Sequence, residues 1–430
     1  MTYIPIVLLA VLFCMGLPIA FSLIVCCIPY FLSDQYLSAS IIIQKMITNT
    51  ESVSLMAVPF FIIAGAIMNE SGITERLLDL ADALVGHFTG GLGHVNVLLS
   101  TFMGGISGSG AADIAMECKT LVPEMKKHGY DMGFSAAVTA ASGCITPIIP
   151  PGVGLVVYAC TVEGVSVGKL LMSGYIPGLL MCVFMMIVVY VISKKRGYKG
   201  NGGRMLPPKV ILKKAGNSAW ALFLPFVLIT GLRFGVFTAT EGGALMAVYS
   251  FIVGKFIYKE LDMKKLPGIF LDAALSTATV MLIMCGAKVF SHYLSWERIP
   301  HAMTAGIMHI AKNKYTFLLF ANILLLMLGM FMDAMPCMII IAPLLAPIAQ
   351  AFGINMIHFG IMMCLNSAIG AITPPFGNYI FQTAGILKIK TQLLYKELVP
   401  FVVVCLIVLF MVTYIPWLAT IVPTLVYGAC

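Results

Sequence analysis

The sequence predicts an all-α polytopic membrane protein built as an inverted repeat, each half holding a re-entrant hairpin and a broken helix. Three observations predict it. Of 430 residues, 60% are hydrophobic and only 10% charged, and mean hydropathy is +0.99, whereas about a quarter of the residues in soluble domains are charged. Apolar runs recur along the chain, which is long enough for on the order of ten spans of about 20 residues. The glycine-rich, proline-rich and acidic interruptions of those runs come in pairs, at nearly one separation.

The first apolar segment runs from Ile4 to about Phe31. It lacks a basic n-region and a small-residue cleavage site, so it is expected to be a retained helix. The net charge of +8 is concentrated in "SKKRGYKGNGGRMLPPKVILKK", where eight basic residues fall between Lys194 and Lys214. A basic stretch between apolar runs is the positive-inside signal, and it argues for a cytoplasmic loop over 193–217 rather than a nucleic-acid surface. Counting spans outward from that loop places 19 of the 26 Lys and Arg inside and six outside, with Lys288 within a span. The twelve cysteines sit mostly inside apolar runs without CxxC spacing, and read as small buried hydrophobes.

Two regions do not fit as simple spans. Around "GGISGSG" the apolar stretches are too short to cross a bilayer at about 1.5 Å per residue. They read as a hairpin over about 91–123 that enters and leaves on the cytoplasmic side. A second pair over about 315–350 turns near "LGMFMDAMPC" and enters from the opposite side. Each hairpin is followed by an interrupted helix, over about 134–161 and 356–385. "ITPIIPPGVG" from Ile145 is echoed by "ITPPFGN" 227 residues later, Asp113 by Asp333 220 later, and Pro177 by Pro400 223 later. The halves are thus 1–192 and 218–430. Inverted repeats with interrupted segments are the pattern of transporters whose site lies at the bilayer midplane.

The interruptions have a physical use. Non-helical backbone survives at membrane depth only where it is buried in protein or lines a wet cavity. Gly104, Gly105, Gly108 and Gly110 leave helix geometry cheaply, and Ser107 and Ser109 add hydroxyl oxygens. The pairs Pro150–Pro151 and Pro374–Pro375 remove donors and free carbonyl oxygens upstream, near Thr146 and Thr373. Carbonyls, hydroxyls and carboxylates are hard ligands for a small cation. The half-helix starts near Gly152 and Asn378 offer unpaired N–H groups to an anion. An intramembrane Asp is costly, which makes Asp113 and Asp333 functional candidates, with helix capping as the plainer alternative.

Together "GGLGHVNV", "GISGSGAADIA", "ITPIIPPG" and "ITPPFG" resemble the large membrane subunit of TRAP (tripartite ATP-independent periplasmic) transporters, within the ion-transporter superfamily. The resemblance covers essentially the whole chain. It implies an elevator, in which a transport domain of hairpins and broken helices slides against a scaffold. It implies sodium-coupled import of an organic anion across a bacterial inner membrane, without an organic cofactor. The expected partners are a periplasmic binding protein and a small four-helix membrane subunit on a separate chain. Carried onto this sequence, sodium would be held by Ser107, Gly108, Ser109 and Asp113 with Thr146 and Pro147. In the other half the ligands would come from Gly329, Met332 and Asp333 with Thr373 and Pro374. The substrate would touch Ser107, Pro150, Gly152, Gly377 and Asn378. No arginine lies in these motifs, so backbone N–H groups or a basic residue from elsewhere must recognise the carboxylate.

Two other readings fit less. A standalone dicarboxylate carrier of the same superfamily would dispense with the binding protein. An intramembrane serine protease would use "GISG" at Gly105–Gly108 with His358 as base, but leaves the repeat and the second hairpin unexplained.

Overall fold

The computed structural model describes residues 3–33, 40–51, 53–200, 206–299, 303, 313–332 and 334–428, and these form helices and connecting turns without strands. Asp333 lies outside the described residues. Five helices are long and apolar enough to cross a membrane: Val167–Arg196, Pro208–Arg233, Leu266–Trp296, Ala334–Ala351 and Thr391–Tyr414. A sixth candidate is bent by 69° between Ala57–Asn69 and Ile73–Val85. Their outward faces expose Val183, Ile187, Phe226, Leu271 and Leu275, as expected where hydrocarbon rather than water is the solvent.

The first apolar segment is not one helix. It forms Ile4–Cys14, Ile19–Val25 and Ile28–Ser33. The first break has a plain cause: Gly16 takes φ +78°, and Pro18 disfavours helix at Leu17 while donating no hydrogen bond itself. The stretch 193–217 is likewise not all loop. Helix Tyr175–Arg196 runs into it and Pro208–Arg233 begins inside it, with Pro208 at the first helical turn, where a missing N–H costs nothing.

Each half then carries the same series. In the first, Gly91–Gly104 and Gly110–Lys127 are joined by a turn, Met132–Ser142 follows, and a proline-rich break leads to the half-helix Val153–Thr161. In the second, the series is Lys314–Gly329, Ala334–Ala351, Met356–Gly370 and the half-helix Asn378–Leu387. The starts are set by polar caps, which satisfy N–H groups that have no partner within the helix. Asp131 Oδ1 accepts from the N–H groups of Gly133 (2.9 Å) and Phe134 (3.1 Å), and Asn355 Oδ1 from those of Ile357 (2.8 Å) and His358 (3.3 Å).

The halves interlock reciprocally. Half-helix Val153–Thr161 packs on Ala334–Ala351 of the second half, and Asn378–Leu387 packs on Gly110–Lys127 of the first. Beside this unit, Leu266–Trp296 packs on Ile19–Val25, Ser40–Thr50 and Ala57–Asn69, and Ala57–Asn69 also packs on Ala239–Ile252. One end of the molecule collects the ion pairs Arg76–Glu260, Arg196–Glu397, Lys265–Glu70 and Lys214–Asp79, at 2.7–3.3 Å. The basic stretch lies at this end, where the Tyr198 carbonyl accepts from Gly90 N–H and the Tyr198 ring meets Tyr130 at 4.5 Å.

Candidate functional site

The turn at 105–109 is built by residues that tolerate close approach. Ser107 N–H closes back on the Met103 carbonyl at 2.8 Å. Gly108 takes φ +60°, and a Cβ there would stand 2.7 Å from the Pro151 carbonyl oxygen. Only glycine fits both demands, so this first tip rests directly on the Pro150–Pro151 break of its own half. Ser109 caps the returning helix by accepting from Ala112 N–H at 3.4 Å.

Asp113 lies one turn further on and is 1% exposed. Thr146, from the proline-rich break, donates its hydroxyl to Asp113 Oδ2 at 2.8 Å. Asp113 Oδ1 is buried without a hydrogen-bond partner. Two residues paired on sequence grounds are therefore in contact, and one carboxylate oxygen is left over. Pro147, expected beside them, instead has its carbonyl against Cys364 Sγ of the other half at 3.7 Å.

Glu117 is the residue that sequence reasoning misses. It is fully buried, with Ser100 Oγ at 3.0 Å from Oε1 and Ser142 Oγ at 3.4 Å from Oε2. Ser142 also reaches Asn96 Oδ1 at 2.9 Å, and Asn96 Nδ2 reaches Thr139 Oγ1 at 2.8 Å. The available signal is spacing, since Asp113 and Glu117 are four apart on one helix and so share a face, as do Asn96 and Ser100. Isolated carboxylates so far from water are costly unless a cation, a proton or several donors compensate them. Asp113 and Glu117 make no ion pair among the described residues, and here the donors are the hydroxyls of Thr146, Ser100 and Ser142.

The second half repeats the backbone with different chemistry. Gly329 and Gly370 lie against each other, a Cβ on Gly370 falling 2.7 Å from Gly329 Cα. Gly377 N–H donates to the Met330 carbonyl at 3.1 Å. Thr373 turns its hydroxyl onto its own helix, to the Ile369 carbonyl at 2.7 Å, and Met332 is half-buried. A polar layer joins Asn322 to Asn366 at 2.7 Å and to Thr413 at 3.1 Å. At the offset that relates Asp113 to Asp333, Glu117 corresponds to Cys337, which is also buried.

A cavity of about 230 Å³ lies where the two series approach Leu266–Trp296. Ser107 and Ser109 of the first tip, Val153 at the half-helix start and Met335 just past the second tip line it, with Asn69 and Asp272 opposite. Gly152 sits at the N-cap of that half-helix, whose first residue Val153 lines the cavity, and the first N–H groups of a helix have no partner within it. Gly377 and Asn378, expected to touch substrate, do not line it. The Gly377 N–H is used by Met330, and Asn378 is exposed. Among the described residues, no lysine or arginine lines this cavity. Ser107 Oγ donates to the Met103 carbonyl at 3.3 Å and His358 Nε2 lies 2.9 Å from the Val412 carbonyl, so the two do not form a nucleophile–base pair.

The model of one family, described as "Tripartite ATP-independent periplasmic transporter, DctM component", matches residues 6–418. The sialic acid TRAP transporter permease protein SiaT of Haemophilus influenzae is 34% identical over 98% of this chain and 68% of its own length. The sialic acid TRAP transporter large permease protein SiaM of Vibrio cholerae is 35% identical over 96% of both chains. The C4-dicarboxylate TRAP transporter large permease protein DctM of Pseudomonas aeruginosa is 35% identical over 86% of both. Among solved structures, the YdaH transporter of Alcanivorax borkumensis shares the fold with a TM-score of 0.63, at 13% identity and 90% coverage of both chains. MtrF of Neisseria gonorrhoeae does so at 0.59 and 13%, covering 92% of this chain and 94% of its own. Matched from residue 6 to residue 418 and at about a third identity to full-length permeases, the chain belongs to the DctM family, the large multi-pass membrane subunits of TRAP transporters, which are transporters rather than enzymes.

Proposed function

We propose that the chain imports an organic anion by a sodium-coupled elevator mechanism, taking its substrate from a periplasmic binding protein and working with a small four-helix membrane subunit. One observation carries the reading. A single cavity is walled by the first tip, by the start of the first half-helix and by the residue just past the second tip, so anything bound there touches both repeats at once. In this reading the two helix–turn–helix units are re-entrant hairpins, the interlocked unit is the transport domain, and the helices around Leu266–Trp296 belong to the scaffold. The basic end is cytoplasmic by the positive-inside rule, in a bacterial inner membrane.

Sodium binding is assigned to the oxygens of Ser107, Gly108, Ser109 and Asp113 with Thr146 and Pro147, and to Gly329, Met332, Asp333, Thr373 and Pro374 in the other half. The free Asp113 Oδ1 supports the first set, because a buried carboxylate oxygen without a donor is a ligand waiting for a cation. Ions ordering the tips would raise anion affinity, and by linkage the anion would raise ion affinity equally. Substrates of the relatives, sialic acids and C4-dicarboxylates, suggest a carboxylate held by hydroxyls and helix N–H groups.

The test is uptake of labelled succinate, N-acetylneuraminate and sugar acids into proteoliposomes, with binding protein and inward sodium gradient each present or omitted. Uptake that needs both supports the reading. Uptake without the binding protein makes the chain a standalone carrier. Asp113→Asn and Ser107→Ala should shift sodium activation to higher concentration while the protein stays folded; unchanged activation in both would refute the first ion site.

A further inference from the structure

Helix Leu266–Trp296 borders two spaces. Asp272 faces the cavity at the tips, while Lys288 and Ser291 face a second, smaller cleft of about 40 Å³. The opposite wall of that cleft is the end of the first half-helix, at Cys160 and Thr161, and Ile339 and Pro343 of the second returning helix. The same two moving elements therefore border both spaces. Sixteen residues separate Asp272 from Lys288, about 24 Å along a helix, and Asp272 is the one nearer the basic end of the molecule.

Lys288 is exposed and forms no ion pair among the described residues. Lys45, from Ser40–Thr50, and Lys288 both lie within electrostatic reach of His292, whose ring stacks on Phe31 at 6.2 Å. The outer part of the helix thus carries Lys288 with Lys45 nearby, while Glu297 at its C-terminal cap is engaged by the Tyr30 hydroxyl, and the end near the basic loop carries Asp272. An unpaired cation within an apolar span is costly, and such residues mark ion and substrate pathways.

We propose that Lys288 is an anion station at the outer end of the path. A carboxylate of the incoming substrate pairs with its ammonium group before the tips take it over. The proposal deepens the anion-uptake reading and rests on it. A charged wall acts mainly by raising the local concentration of the oppositely charged partner.

The experiment places a reporter thiol in the cleft with Ser291→Cys in a Cys160→Ser background. Its modification rates by anionic sulfonatoethyl and cationic trimethylammonioethyl methanethiosulfonate are then compared. The anionic-to-cationic rate ratio should fall about tenfold with Lys288→Gln and be kept by Lys288→Arg. An unchanged ratio, or a thiol unreactive to both reagents, overturns the proposal. In uptake of labelled succinate and N-acetylneuraminate, Lys288→Arg should exceed Lys288→Met, which keeps length but not charge, and Lys288→Glu should be slowest. Equal rates for the Arg and Met variants overturn the station while leaving the transport reading intact. A wild-type complex that moves no anion overturns the transport reading, and this proposal with it.

Discussion

Glu117 offers the sharpest test of how the first half is held together. In Glu117→Ala the Ser100 hydroxyl loses its carboxylate partner at 3.0 Å, whereas Ser142 keeps the Thr139 carbonyl at 3.1 Å and Asn96 Oδ1 at 2.9 Å. One stranded hydroxyl costs about 1–3 kcal/mol. Truncating a fully buried side chain of this size adds about 2–4 kcal/mol through the space it leaves. Removing a carboxyl group four residues from Asp113 offsets part of this, so the net loss is about 3–5 kcal/mol. At roughly 2 °C per kcal/mol for a chain of this size, the apparent Tm falls by about 6–10 °C. Glu117→Gln keeps the length, still accepts from Ser100 and can donate to Ser142, so it stays within about 1 kcal/mol of wild type. The assay is thermal unfolding of the purified membrane complex in detergent, followed with a thiol-reactive fluorophore. Cys118, Cys144, Cys337, Cys364 and Cys405 are buried and become reactive only as the core opens. An Ala variant that melts with wild type, or a Gln variant that melts as low as the Ala one, would refute the reasoning.

Three further outcomes are expected. Gly370→Ala, whose Cβ meets Gly329 backbone at 2.7 Å, should cost about 1–3 kcal/mol and weaken uptake, whereas Gly268→Ala, with nothing within 4 Å, should leave both melting and uptake unchanged. Asn322→Leu removes a side-chain partner from Asn366 and from Thr413, but Asn366 Nδ2 keeps the Asn322 backbone carbonyl at 3.1 Å and the Thr413 hydroxyl keeps the Leu409 carbonyl at 2.7 Å, so it should cost about 1–2 kcal/mol; with Asn366→Leu the losses should be less than additive in a double-mutant cycle, because the two side chains share one hydrogen bond. Glu397→Gln breaks a partly exposed pair with Arg196 at 2.7 Å and should cost under about 1 kcal/mol, with the loss shrinking as salt is raised; a large, salt-independent loss would contradict a surface pair.

What the sequence discloses follows from where its constraints are local. Glycine at 108, the proline pairs and the caps Asp131 and Asn355 act on backbone within a few residues, so the helix breaks are legible from residue order alone. Asp113 and Thr146 can be paired because each stands beside such a break. Glu117 escapes notice because it sits mid-helix in "AMECKT", where a glutamate reads as solvated; only the packing of three helices turns that position inward. The first apolar segment reads as one helix because hydropathy does not register the short break that Gly16 and Pro18 impose. The Asn322–Asn366–Thr413 layer joins residues up to 91 positions apart, beyond the reach of any periodicity.

The two halves match in backbone but differ in charge, and this difference constrains mechanism more than their likeness does. Reciprocal packing of each half-helix on the other half's returning helix ties the two series together, since displacing one strips the other of its neighbour. Had the polar layers also matched, the two halves would offer a bound ion or anion the same chemistry. They do not match: Glu117 stands where the second half has Cys337, and Asp272 and Lys288 line the two separate spaces that Leu266–Trp296 borders. Exchanging the latter pair, as Asp272→Lys with Lys288→Asp, tests whether these charges act on anion passage. The swap keeps net charge, and both uptake and exchange of preloaded anion should fall, because a fixed charge acts on passage in either direction. Unchanged uptake and exchange in a variant that melts with wild type would mean that these two charges play no part in anion passage.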